Sequence, residues 1–241
     1  MAGDAGDCRA VAIVVAGGTG LRFGRSGGKQ MAEVLGEPLL AHTVRALDGA
    51  STIDKIVIVC HPDRVAEYRD AVVAAAKPET PVDAVAGGST RQESVAAGLA
   101  RAGDEYAVVA IHDGARPLVG SEVVDGAVRA LCARTDLSGI VVGHRTYDTL
   151  KVVDGDVVVE TPDRSRYWVA QTPQIFRAEA LQDAFADASR EGRTGTDDAS
   201  LVEAIGGRVG MFEGPRDNIK VTVDEDVAIV EAILEARDRT R

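Results

Sequence analysis

The run AIVVAGGTGLRFGRSGGKQ, residues 12–30, places a glycine-rich, basic turn directly after a short apolar stretch. Gly17, Gly18, Gly20 and Gly24 remove the side chains that would keep a ligand away from the main chain, so backbone N–H groups can approach a phosphate or a base closely. Arg22 and Lys29 add positive charge to that cradle. No Gly-Lys-Ser/Thr follows at P-loop spacing, and Gly18, Gly20 and Gly24 miss the GxGxxG dinucleotide fingerprint by one residue. Such a turn also serves simply to reverse the chain after a strand. The combination of a preceding strand with Arg22 and Lys29 favours phosphate binding over that plainer role.

A second group of candidates ends another apolar run, in IHDGARP. His112 and Asp113 fall where a strand would leave its sheet, so Asp113 is placed to ligate magnesium or orient a ligand hydroxyl. A turn or helix-capping aspartate before Gly114 fits the same residues, and Arg116 reads either as a surface residue or as an anion clamp. Further along stand Asp148-Thr149 with Lys151, Asp163-Arg164, and Asp217-Asn218-Ile219-Lys220. Taken singly, each of these is a solvated charge.

The elements that must position these residues follow from the apolar pattern. Val11–Ala16, Lys55–Cys60, Val82–Ala86, Tyr106–Ile111 and Gly139–Val142 are short runs that suit strands buried on both faces. Helical patterns lie between them: Pro38–Asp48, Asp63–Ala76, a third opened by Ser89 with Gln92 as a capping box, and a fourth opened by Ser121. This alternation predicts one α/β domain over residues 1–241, with a Rossmann-like, doubly wound, mainly parallel sheet and helices on both faces. TLKVVDGDVVVE, residues 149–160, breaks the alternation with two apolar runs hinged on Asp154-Gly155. It predicts a β-hairpin arm protruding at about residues 145–170, with an antiparallel edge of the main sheet as the plainer alternative, and an arm with an apolar side invites a second copy of the chain to pack on it. Toward the end, Thr196 or Asp197 caps a helix stopped by Gly206-Gly207. Val209–Phe212 and Ile219–Val221 read as short strands, and Thr222 to Glu225 opens a last helix with another capping box.

Composition bounds the function. The 241 residues carry 27 Lys plus Arg against 38 Asp plus Glu, a net charge of -11. That field repels nucleic acid, so an anionic ligand must be held by a local cluster of donors. Cys8, Cys60 and Cys132 are far apart with no CxxC spacing, which predicts unpaired thiols rather than a disulfide framework or a zinc site. No stretch has the length of a membrane helix and MAGDAGDCRA lacks signal-peptide character, so a cytoplasmic location is expected.

Seven motifs carry a resemblance: AGGTGLRFG with Lys29-Gln30, AGGSTRQESV, HDGARP, DTLKVV, TPDRSRYWVAQTPQIF, TDDASLVE and DNIKVT. In this order and spacing, over about residues 11–235, the chain resembles the 2-C-methyl-D-erythritol 4-phosphate cytidylyltransferases. The resemblance implies attack of the methylerythritol phosphate on the α-phosphate of CTP, with magnesium as cofactor and pyrophosphate as the leaving group. It assigns Ala16, Gly17, Gly18, Thr19 and Gly20 to the nucleotide and Gly88 and Ser94 to its base or ribose. Arg22 and Lys29 fall to the transferring phosphate, Asp113 to the metal and nucleotide, and Thr149, Arg164 and Lys220, with Arg116 as an anion clamp, to the polyol phosphate. It also implies a homodimer that exchanges its arms, so that Thr149 and Arg164 serve the partner's site. Gly17, Gly28 and Gly114 depart from the residues many members carry. AGGTG and QTPQ also resemble ribitol-5-phosphate cytidylyltransferases, which stay open as an alternative, as does an inactive nucleotide-binding module; DGARP and TDDASLVE favour the methylerythritol enzymes.

Overall fold

The computed structural model describes residues 8–17 and 29–240, and only the backbone of Lys29. Along the chain it forms β1 (Ala10–Val15), the short pair β2 (Glu33–Val34) and β3 (Glu37–Pro38), α1 (Leu39–Asp48), β4 (Ile53–Cys60), α2 (Val65–Ala76), β5 (Val82–Ala86) and α3 (Arg91–Ala102). There follow β6 (Val108–Asp113), α4 (Ser121–Ala133), β7 (Gly139–Arg145), the hairpin β8 (Val152–Asp154) and β9 (Val157–Glu160), and β10 (Trp168–Arg177). The last elements are α5 (Ala178–Glu191), α6 (Asp198–Ala204), β11 (Val209–Glu213) and α7 (Glu225–Asp238).

The main sheet has the order β11-β7-β10-β6-β1-β4-β5. Only β10 runs antiparallel to its neighbours β6 and β7; the other pairings are parallel. Its central strands β1, β4 and β6 bury both faces, as the apolar runs require, while the edge strands β5 and β11 are only partly buried. Ala12, Val14, Ile56 and Ile58 pack with Leu40, Val44 and Leu131 on one side, and Ile13, Val57, Ile111 and Phe176 pack with Val95 and Leu181 on the other. A third apolar cluster joins α7 to Val34, Leu39, Leu118 and Val221. The chain winds from β1 out to β5, then returns to β6 on the other side of β1. That reversal opens a crevice beyond the carboxyl ends of β1 and β6, where doubly wound sheets bind ligands.

The hairpin β8–β9 is a separate two-stranded sheet, not an edge of the main one. Asp154 pairs with Val157, which moves the turn one residue along to Gly155-Asp156, and Gly155 takes φ +60° there. Val152, Val153, Val157, Val158 and Val159 are all exposed, so the arm carries its apolar surface outward.

Several expectations are corrected. β10 and α5 were not foreseen, because the alternation of parallel strand and helix does not announce a long antiparallel strand. Pro173 sits in this central strand at a register shift between Ala170 and Gln174, the setting in which a sheet tolerates proline. The box of α3 is Thr90 with Glu93, one residue beyond Ser89 and Gln92. Ser121 is the first residue of α4 as expected, but the cap position before it is Gly120 with no side-chain cap bond, and Ile219–Val221 forms no strand. At α7, the Asp226 carboxylate accepts from the Thr222 and Val223 amides in place of a box closed by Glu225. Cys8 and Cys132 are joined as a disulfide, against the expectation of unpaired thiols. The fold brings Cys8, two residues before β1, to Cys132 in the last turn of α4, at a Cα separation of 6.3 Å across 124 residues of sequence, within bridging range. Cys60 is free, and burial pushes its thiol up to about 11.

Gly98 shows how closely α3 lies on the sheet. A Cβ there would collide with Ile13 Cγ2 and stand 2.9 Å from Val59 Cγ2. In an open helix Gly→Ala gains up to about 1 kcal/mol, but overpacking a dense core costs about 1–3 kcal/mol. Gly98→Ala is therefore expected to lower the urea midpoint without changing the slope, and a raised midpoint would contradict this packing.

Candidate active site

The crevice at the β1–β6 reversal holds a cavity of about 290 Å³. Gly17, from the end of β1, lines it together with Gln30, Gly88, Ser94, Asp113 and Lys220. Residues distant in sequence thus meet because three elements end there: β1, β6, and the loop preceding α3.

The wall formed by residues 87–94 is built to leave space. A Cβ on Gly88 would run into Glu93, and one on Gly87 would stand 2.7 Å from Ser94 Oγ. Glu93 accepts the Ser89 amide at 2.7 Å and the Ser89 hydroxyl at 2.6 Å, which holds its carboxyl below the usual range. Thr90 completes the box by accepting the Glu93 amide at 3.1 Å. Ser94 Oγ donates to Thr90 O at 2.9 Å, so its lone pairs are what it can offer a ligand.

The lining residues at the end of β6 and in the loop bearing Lys220 are charged, as is Arg91. Asp113 is 8% exposed; its Oδ2 lies 2.8 Å from Lys220 Nζ and 3.3 Å from Arg116 Nε. Burial alone would raise this carboxyl, but the two cations outweigh it and hold the group at about 2. Asp113 is thus ionised throughout the neutral range. Arg116 also donates from Nη1 to Asn218 O at 2.7 Å. Buried Asn218 donates to Gln171 Oε1 at 3.2 Å and Thr172 O at 2.9 Å, and Val221 N donates to Ala115 O at 2.9 Å. These bonds lash the loop carrying Lys220 to the end of β6 and to the displaced residues of β10. Behind them His112 is fully buried, and that burial pushes its imidazole down to about 4.

The sequence-derived candidates sort clearly. Gly17, Gly88, Ser94, Asp113 and Lys220 line one cavity, and Arg116 adjoins it through Asp113. Ala16 is buried beside it, its amide donating to Val59 O at 2.7 Å. Thr149 and Arg164 lie outside the lining of this cavity; Arg164 donates to Tyr147 O at 2.7 Å at the base of the arm. Gly18, Thr19, Gly20, Arg22, Gly24 and Gly28 fall outside the described residues, as does the side chain of Lys29.

Sequence reasoning missed Arg91, which it read only as part of a capping segment. Arg91 borders the cavity and makes a two-pronged pair with Asp198, at 3.0 and 2.6 Å. Asp198 is 1% exposed; burial pushes its carboxyl up against the pull of Arg91. Gln174 ties the same region to β10, donating to Asp197 at 2.7 Å and accepting from Ala199 N at 3.1 Å. The signal was the conjunction of TRQES with TDDAS, two helix starts that complement each other in charge.

The family model for 2-C-methyl-D-erythritol 4-phosphate cytidylyltransferase matches residues 10–236. The chain belongs to this family. A relative of that name from Rubrobacter xylanophilus is 41% identical over 236 residues, covering 95% of this chain and 96% of the relative. Another from Nostoc sp. is 38% identical, covering 95% and 99%. Among solved structures, 4-diphosphocytidyl-2C-methyl-D-erythritol synthase from Anaerococcus prevotii superposes with a TM-score of 0.82 at 27% identity, covering 95% and 97%. The Thermus thermophilus cytidylyltransferase gives 0.73 at 29% identity, covering 93% and 98%. Family membership thus falls on the methylerythritol side of the alternatives that the sequence motifs left open.

Two outcomes are expected. Arg91→Ala leaves the Asp198 carboxylate buried without its cation and lowers unfolding stability by about 3 kcal/mol, whereas Asp198→Asn, which keeps an acceptor, loses less. Equal losses measured by urea unfolding would contradict the pairing. Gly17→Ala places its methyl 3.7 Å from Ser94 Oγ, an ordinary contact, so stability should stay within about 0.5 kcal/mol; a larger loss would mean that the turn requires glycine there.

Proposed function

We propose that this chain joins 2-C-methyl-D-erythritol 4-phosphate to CTP, giving 4-CDP-2-C-methyl-D-erythritol and pyrophosphate in non-mevalonate isoprenoid precursor synthesis. The observation that carries the reading, beside family membership, is the ionised Asp113 set between Lys220 and Arg116 in the cavity that Gly88 and Ser94 also line. Gly88 and Ser94 suit a base and ribose; the cations beside Asp113 suit phosphate.

In the reaction a phosphate oxygen of the polyol substrate attacks the α-phosphorus of CTP. The bond from that phosphorus to the bridging oxygen breaks, and pyrophosphate departs with the electron pair. Two anions must meet in line, so the protein's work is positioning and charge neutralisation rather than nucleophilic catalysis. Gly17, Gly18, Thr19 and Gly20 wrap the triphosphate, and Gly88 and Ser94 hold the base or ribose. Arg22 and Lys29 stabilise charge on the transferring phosphate. Lys220, with Arg116 behind it, receives the polyol phosphate.

The donor set fits magnesium held chiefly by the ligand. Asp113 is the one carboxylate among the cavity's described lining residues, and no cluster of three His, Cys, Asp or Glu side chains suited to a metal occurs among the described residues. Magnesium takes one or two carboxylates plus substrate phosphates and water in such sites, and when bound it neutralises triphosphate charge.

The arm belongs to the same proposal. Its exposed valines form an apolar surface of the kind that marks an interaction site, and Thr149 and Arg164 stand at its base, apart from their own cavity. Exchange of arms in a homodimer places them in the partner's site. No described helix is long and apolar enough to cross a membrane; the reaction's phosphorylated substrates suit the cytoplasm.

The activity is tested with purified protein, CTP, magnesium and each polyol phosphate in turn, following pyrophosphate; turnover of ribitol 5-phosphate alone would overturn it. Lys29→Ala is expected to lose about a hundredfold or more in kcat with the fold intact, and unchanged turnover would contradict its role. Mixing Lys29→Ala chains with Arg164→Ala chains should restore activity in hybrid dimers. Verified hybrids without recovery would assign each site to a single chain.

A further inference from the structure

The turn that carries Asp113 and Arg116 is braced from within the core. His112 Nε2 lies 3.1 Å from Arg116 O, and its Nδ1 lies 3.1 Å from Thr172 Oγ1. Thr172 Oγ1 accepts the amide of Asp113 at 3.0 Å. The turn's own backbone adds a bond from Arg116 N to Asp113 O at 3.0 Å.

The chemistry of these groups fixes where the protons lie. A carbonyl oxygen only accepts, so Nε2 carries a hydrogen and donates it to Arg116 O. Thr172 Oγ1 already accepts from Asp113, and its single hydrogen points to the Nδ1 lone pair. The chain therefore runs from Asp113 N–H to Thr172 O–H to His112 Nδ1, and from His112 Nε2–H to the carbonyl of Arg116. Every donor has one acceptor. The opposite tautomer would set the Nε2 lone pair against a carbonyl lone pair inside the core, where His112 is fully buried. Ala110, on the same face of β6, is apolar and buried, so packing alone does not ask for an imidazole at this position.

We propose that His112 is a positioning residue for the transfer reaction: held in its Nε2–H tautomer between Thr172 and Arg116, it fixes the turn that presents Asp113 and Arg116 beside Lys220. This rests on the reading above in taking the ligand at that wall to be the polyol phosphate.

The test has two readouts. Nitrogen-15 NMR of the intact wild-type protein at neutral pH should find His112 protonated at Nε2 and bare at Nδ1; a ring protonated at Nδ1, alone or at both nitrogens, overturns the brace whatever the enzyme's substrate. Kinetics then use three variants. His112→Asn keeps an acceptor near the Nδ1 position, His112→Gln keeps a donor near the Nε2 position, and His112→Leu keeps neither. The first two are expected to raise KM for the polyol phosphate roughly tenfold and the third roughly a hundredfold in kcat/KM, each lost bond acting separately. The dissociation constant of CTP measured without magnesium should stay within about twofold, because Gly88 and Ser94, which hold the base and ribose, take no part in this brace and Asp113 serves the nucleotide through the metal. Equal weakening of both substrates, or folded variants with unchanged KM for the polyol phosphate, overturns the positioning role.

Discussion

Much of this site depends on one buried carboxylate. Asp113 sits where burial should neutralise it, yet Lys220 and Arg116 keep it charged. In return it holds a lysine and an arginine from different parts of the chain at a fixed place on the cavity wall. An acidic protein of net charge -11 repels phosphorylated ligands at long range; at a few ångströms this local arrangement decides. Lys220 remains partly exposed, with 39% of its side chain accessible, so it can face a ligand while its ammonium is oriented from behind.

The fold supplies the setting. The reversal of winding between β1 and β6 leaves open the crevice into which Gly17 and Asp113 project. The antiparallel β10 contributes from the side, because its register shift frees residues around Pro173 from ordinary pairing. Gln171 and Thr172 there bond Asn218 and His112. An irregularity in a central strand that re-aims side chains toward a site is a recurring use of the β-bulge. Stability and function meet here, since the same bonds that close the sheet's end also hold the loop bearing Lys220.

Much of this was legible in the sequence. Short β-branched runs between amphipathic stretches announced β1, β4, β5, β6 and β7 because parallel strands bury both faces. The Asp-Gly dipeptide amid valines announced the arm. Asp113, Gly88, Ser94 and Lys220 were nominated by motif and are now found around one cavity. What stayed hidden depends on tertiary contact: the Arg91–Asp198 pair, whose members lie 107 residues apart, the Cys8–Cys132 disulfide, and the role of His112, whose meaning comes from a hydroxyl 60 residues away. β10 escaped because a proline in a run argues against a strand unless the register shift is known.

The central claim is that both substrates occupy the crevice at the β1–β6 reversal, the nucleotide at Gly88 and Ser94 and the polyol phosphate at Lys220 and Arg116. Amide NMR of the protein titrated first with CTP and then with 2-C-methyl-D-erythritol 4-phosphate tests it most directly. The first addition, made with magnesium, should shift Gly17, Gly88, Ser94 and Asp113 most strongly; the second should shift Arg116 and Lys220. Shifts from both ligands that cluster instead in the groove between Arg91 and Leu201, leaving Asp113 and Lys220 unmoved, would contradict the account.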